Sequence, residues 1–147
     1  MAELTRKEII MVLNGSGKPR LAGVDLSQEN CTRLDFENGN LRGANLRGTV
    51  LREAIMRSTN MTGVNAVGAN MQFADLNAAI CVAADFTVAA LQGSRLTGVD
   101  LTNANVSGAN LQGANMTGAK VQGLRFDAGT TWPDGKQGTA GNPNDYT

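Results

Sequence analysis

From Leu21 to Phe126 a core-type residue stands at every fifth position, and no register break interrupts the series. It runs through Leu26, Cys31, Phe36, Leu41, Leu46, Leu51, Met56, Met61, Ala66, Met71, Leu76, Cys81, Phe86, Leu91, Leu96, Leu101, Val106, Leu111, Met116 and Val121. A period of five drifts around an α-helix, and an odd period cannot hold one face of a long flat strand. The chain must therefore turn a corner in every unit. With the large residue written as i, position i−2 shares its face by strand alternation and is usually small, as at Ala44, Ala54, Ala69, Ala74, Ala104 and Ala109. Asn or Asp precedes the large residue and Gly often follows it two positions later, where tight corners want them. The pattern predicts a solenoid.

The stretch Asn105-Val106-Ser107-Gly108-Ala109, Asn110-Leu111-Gln112-Gly113-Ala114, Asn115-Met116-Thr117-Gly118-Ala119 resembles the pentapeptide-repeat family: a small residue, Asp or Asn, Leu or Phe, then two variable positions. The likeness covers about 22 consecutive units. It implies an all-β solenoid, a right-handed quadrilateral β-helix with four units per coil, hence five to six coils, about 25 Å long at a coil spacing near 4.8 Å. One coil buries four large side chains at roughly 2 kcal/mol each, against an ordering cost of about 1–2 kcal/mol for each residue. A lone coil would not stand, so stability belongs to the stack.

Three segments follow: 1–20 as an N-terminal cap with a short helix, 21–129 as the repeat solenoid, and 130–147 as a C-terminal cap and flexible tail. Thr5-Arg6-Lys7-Glu8 reads as a capping box, flanked by Leu4 and Ile9 at the staple positions. A helix from about Arg6 to Leu13, stopped by Asn14-Gly15, would cover the first coil with Ile9, Ile10, Val12 and Leu13. Past Phe126 the pattern ends. Trp132, the single tryptophan, is expected to fold over the last coil with Phe126, and residues from about Lys136 onward to be mobile for want of anything to bury.

The chemistry-bearing residues are few. There is no histidine, and 13 basic residues balance 13 acidic ones. Cys31 and Cys81 hold inward positions 50 residues apart, on the order of 12 Å along the axis, which excludes a disulfide and reads as core packing. Asp25, Asp35, Asp75, Asp85 and Asp100 occupy the slot before the large residue and read as corner hydrogen-bonders, not paired catalytic carboxylates. The Asn-X-Ser/Thr strings at Asn30, Asn60, Asn105 and Asn115 fall out of the repeat. No nucleophile with a base, phosphate loop, metal set or cofactor site is visible, so the chain reads as non-enzymatic. It has no apolar run of membrane-spanning length and no signal-peptide h-region, which places it in the cytoplasm.

Two outward features are candidates for partner contact. Arg42, Arg47, Arg52 and Arg57 follow four successive core residues, so one coil carries a belt of arginine, with Glu37 and Glu53 as pairing partners. A belt on four sides cannot meet one phosphate backbone, which argues against nucleic acid. Beyond it the surface is nearly uncharged: Val67, Phe73, Val82 and Val88 take outward positions that are polar elsewhere, and Ile80 replaces the usual Asn or Asp, as Val50 and Ile55 do. The expected function is a protein-binding or scaffold module for a protein partner, as a monomer or weak homodimer. The resemblance also implies an alternative, since some family members mimic duplex DNA and bind DNA gyrase, conferring fluoroquinolone resistance. That mimicry needs a strongly negative rod, against which stand the zero net charge and the arginine belt.

Overall fold

The computed structural model describes residues 2–15 and 17–147. From Arg20 to Asn105, each residue just before a large core residue bridges in parallel to the residue 20 positions later, as Arg20 does to Asn40 and Asn105 to Arg125. The bridges fall into four ladders. The first runs through Arg20, Asn40, Asn60, Ile80, Asp100 and Lys120, the second through Asp25, Asn45, Asn65, Asp85, Asn105 and Arg125. The third links Asn30, Val50, Asn70, Ala90, Asn110 and Thr131, and the fourth Asp35, Ile55, Asp75, Arg95 and Asn115. Between ladders lie the corners, each made by i+1 and i+2 and numbered after the ladder it follows.

One unit accounts for all five of its backbone N–H groups. In the unit of Leu46, Asn45 donates back to Val24 O (3.0 Å), while Leu46 and Gly48 donate forward to Asn65 O (2.7 Å) and Val67 O (3.0 Å). Thr49 closes the corner onto Leu46 O (3.0 Å), and the Asn45 side chain accepts the remaining Arg47 N–H at 3.1 Å. This explains the Asn/Asp slot: the side chain takes the one N–H that no carbonyl reaches. All five aspartates expected there do so, Asp25 to Ser27, Asp35 to Glu37, Asp75 to Asn77, Asp85 to Thr87 and Asp100 to Thr102.

The corner also explains Gly. Position i+2 is left-handed in every unit from Gly23 to Gly123, with φ between 52° and 71°. Inside, the large and small residues interlock in one continuous core, including Cys31 and Cys81, both buried and unbridged. Burial pushes their thiols up to about 11 and about 12, so they are inert packing residues. Where i−2 is Thr, the buried hydroxyl finds the carbonyl one coil back: Thr49 to Leu26 O (2.8 Å) and Thr59 to Phe36 O (3.0 Å).

Helix α1 spans Arg6–Leu13, with the capping box formed between Thr5 and Glu8. Ile9 is fully buried in the core cluster and Leu4 and Leu13 pack against it. Val12 does not cover the coil as expected: it and Met11 face solvent, on the outer side of the helix. No helix among the described residues is long and apolar enough to cross a membrane.

The C-terminal end departs from expectation twice. The repeat does not stop at Phe126: Asn110 bridges to Thr131, 21 residues on, so one residue is inserted and one further unit follows. Trp132 is that unit's large core residue, fully buried, and Thr130 is its i−2 residue, donating to Val106 O at 2.9 Å as Thr49 and Thr59 do in theirs. Asp127 fills the gap left by the insertion, its Oδ1 accepting Gly108 N–H at 2.9 Å.

Nor is the segment from Lys136 a mobile tail. It doubles back through an antiparallel bridge between Thr131 and Gln137, then forms 3-10 turns at Gly138–Ala140 and Pro143–Tyr146. Trp132 donates its indole N–H to Gly138 O (2.8 Å) and packs edge-on against Phe126 (5.1 Å). Its other side stacks on Tyr146 at 5.7 Å, and the Tyr146 hydroxyl donates to Asp134 Oδ1 at 2.9 Å. Counting aliphatic residues misses this, because what the segment buries is aromatic.

Lys136, together with the Tyr146 hydroxyl, holds the Asp134 carboxyl down to about 2. A depressed carboxylate contributes stability above its unfolded pKa and loses it as pH falls through the folded one. The C-terminal closure should therefore loosen between about pH 4 and pH 2, seen as a reversible change in Trp132 emission, and Asp134→Asn should abolish that transition. In the coils, Asn70→Ala should cost about 1 kcal/mol in urea unfolding, by orphaning the Gln72 N–H that Asn70 accepts. Asn70→Asp, which keeps the acceptor, should cost little.

Candidate functional site

The ladder register distributes the nine candidate residues over the four corners and the first ladder. The third-ladder face, through Val50, Asn70 and Ala90, lies between the second corner, carrying Arg47, Val67 and Val88, and the third, carrying Arg52 and Phe73. On the opposite side Ile80 belongs to the first ladder, flanked by Arg42 and Val82 at the first corner and Arg57 at the fourth. The second-ladder face lies between the first and second corners, so Val82 flanks it on one edge and Val67 and Val88 on the other.

The arginines differ in what holds them. Glu53 takes Arg33 at 2.7 Å and Arg52 at 3.4 Å, and Arg52 also stands over the Phe73 ring, 5.8 Å from its centroid. Arg57 pairs with Asp75 at 3.1 Å, a carboxylate also reached by Arg95 at 3.5 Å. The expected pairing with Glu37 is not made, because Asp75 lies one coil above Arg57 on the same side. Among the described residues Arg42 and Arg47 make no ion pair. The Arg33 bond holds the Glu53 carboxyl below the usual carboxylate range, so Glu53 stays charged and Arg52 partly neutralised.

Phe73 and Val88 are the most unusual residues of the set. Both are left-handed corner residues, with φ of 58° and 52°, and both are more than half exposed, 55% and 58%. A β-branched valine in this region is a steric outlier. Each side chain leans over a glycine one coil ahead: a Cβ on Gly93 would lie 2.6 Å from the Phe73 ring, and one on Gly108 would lie 2.9 Å from Val88 Cγ1. The same relation holds for Gln28 over Gly48 and Asn103 over Gly123. At these four corners the glycine 20 positions on leaves room for the side chain below it; elsewhere bulky residues stack directly, as Arg33, Glu53 and Phe73 do in successive coils of the third corner.

Beside Phe73 the third corner holds a residue that sequence reasoning passed over. Gln92 Oε1 is the one buried side-chain oxygen without a hydrogen-bond partner among the described residues. The Gln92 backbone N–H also lacks its acceptor, since Ala90 stands where Asn or Asp would cap it. Nothing in the repeat pattern flags this beyond that missing Asn or Asp. Among the described residues no group of three or more His, Cys, Asp or Glu side chains is placed to hold a metal ion.

The family model for pentapeptide repeats matches in 8 copies, within residues 20–127. A crystal structure of Rfr23, a pentapeptide repeat protein from the cyanobacterium Cyanothece 51142, is 29% identical over 77% of this chain and 87% of that one, with a TM-score of 0.50. A pentapeptide repeat protein from Nostoc PCC 7120 is 22% identical over 84% of this chain and 96% of that one, TM-score 0.49. The fluoroquinolone resistance protein QnrB1 is 17% identical over 76% of this chain and 66% of that one, with a TM-score of 0.34. Curated protein sequences give no significant match.

The Phe73–Gly93 relation yields a double-mutant test. Gly93→Ala should destabilise by more than the roughly 1–2 kcal/mol cost of a left-handed alanine, because the new methyl meets the ring. In a Phe73→Gly background the same substitution should fall back to the backbone cost alone, as read from urea midpoints.

Proposed function

The chain belongs to the pentapeptide-repeat family and folds as a right-handed β-helix solenoid, and from that premise we propose that it is a non-enzymatic cytoplasmic protein-binding or scaffold module. In this reading it is a quadrilateral rod of five to six coils, closed at its N-terminal end by α1, and the partner docks on the third-ladder side. The supporting observation is the pair Phe73 and Val88: exposed apolar side chains kept in a strained conformation that the next coil gives to glycine. Such strain marks sites where something other than folding fixes the residue. Arg47, which makes no ion pair among the described residues, adds a cation at the edge of the same face.

Size limits the mode of binding. Three ladder residues across and the stacked coils along the axis give one face about 10 Å by 25 Å, on the order of 250 Å². A stable complex covers roughly 800 Å² per partner. A partner touching this face alone binds weakly, and so does a second copy, which supports a monomer or weak homodimer. Gyrase mimicry draws no support: arginine stands at all four corners of one coil and net charge is zero.

The test exploits the strain. Replacing both Phe73 and Val88 by glycine relieves about 1–2 kcal/mol at each left-handed position and offsets it with chain entropy and lost packing, so the rod stays folded. In affinity capture from the source lysate, a partner held by the wild-type chain and by an Ile80→Asn variant should be lost from the Phe73→Gly/Val88→Gly variant. Equal capture by all three chains would remove the third-ladder face from consideration.

A further inference from the structure

Hydrogen bonding between coils has a direction. In each unit the N–H groups of i and i+2 donate to the next coil, and one bond, from i−1, returns. The two ends of the rod are therefore chemically different. The first coil presents carbonyls at i−1 and i+1, and the last coil presents N–H groups at i and i+2. In later coils of the third ladder those carbonyls are filled by backbone: Val50 O accepts from Cys31 at 2.7 Å and Arg52 O from Arg33 at 3.0 Å.

In the first coil the same two carbonyls belong to Asn30 and Thr32, and one side chain fills both. Arg6 donates through Nη1 to Asn30 O and through Nη2 to Thr32 O, the latter at 3.1 Å. Glu3 does the equivalent on the second ladder, donating its N–H to Asp25 O at 2.7 Å and accepting Asp25 N–H at Oε2, 3.3 Å. At the other end, the N–H groups of Met116, Gly118, Val121 and Gly123 make no hydrogen bond among the described residues. The C-terminal turn extends only the third ladder, through Thr131 and Pro133.

We propose that Arg6 is a plug that stands in for a missing coil and keeps the N-terminal edge from pairing with the C-terminal edge of a second copy of this chain. The second copy is the occupant because its open edge carries N–H donors at i and i+2, the spacing that carbonyls at i−1 and i+1 accept throughout the rod. Contact between unlike ends is heterologous and does not close, so copies add head to tail. The forked guanidinium suits the plug because its two arms reach two carbonyls at once.

Sedimentation velocity over a concentration series tests this with the full chain. Arg6→Ala removes both donors, and Arg6→Lys keeps the charge while replacing the fork with one compact ammonium. Both should self-associate, with mean mass at least about doubling across the series, while the wild-type chain holds constant. Val121→Pro deletes a C-terminal donor that makes no hydrogen bond among the described residues, and adding it to either variant should restore the wild-type mass. Trp132 emission, from the far end of the rod, reports that each variant is folded. Folded Arg6 variants that stay at the wild-type mass would overturn the proposal, and so would association that Val121→Pro leaves untouched. If Arg6→Ala does not fold, Arg6→Lys decides by the same criteria.

Discussion

Everything in this rod depends on closing a corner every five residues without stranding a backbone N–H. In a unit with Asn or Asp at i−1, four of the five donors go to carbonyls and the fifth to that side chain, with i+2 left-handed. Once that is met, the large residue points inward, the small one fits beneath the neighbouring coil, and the outward pair forms the corner. The core follows from the backbone. Where Gln28, Phe73, Val88 and Asn103 lean over the corner, the coil above supplies glycine.

A solenoid solves its interior by repetition and must solve its ends individually. Here both ends borrow side chains to imitate a coil. Arg6 and Glu3 imitate backbone donors and acceptors at one end, while Asp127 and Thr130 carry the register across an inserted residue at the other. Trp132 then serves as the last core residue, and Tyr146 covers it. Such solutions matter because each open ladder is a template for another chain.

The surface is divided by the same geometry. The arginine ion pairs lie at the third and fourth corners, and among the described residues Arg42 and Arg47 make none, while the coil from Met71 to Ala90 carries four apolar left-handed residues in succession: Phe73, Ala78, Ala83 and Val88. Strain concentrated in one coil, next to a buried oxygen on Gln92 that lacks a partner, is where this fold departs from its own rules.

The sequence alone determined the solenoid, the inward series, the capping box and the corner role of Asn and Asp, because each depends on a local rule repeated at a fixed spacing. It also marked the nine outward residues that break the pattern. Tertiary structure decided which of them are neighbours, since facing in a solenoid depends on position modulo a coil: Phe73 and Val88 flank one face although Ile80 and Val82 lie between them in sequence. It decided that Arg57 pairs with Asp75 and not Glu37, and that Arg6 reaches the first coil. The single-residue insertion after Phe126 hid the last unit and made Trp132 look like a lid instead of a core residue. A one-residue slip erases a periodic signal while costing the backbone only one side-chain substitution for a carbonyl, so the last unit could be found only in three dimensions, although the contact of Trp132 with Phe126 was legible from the sequence.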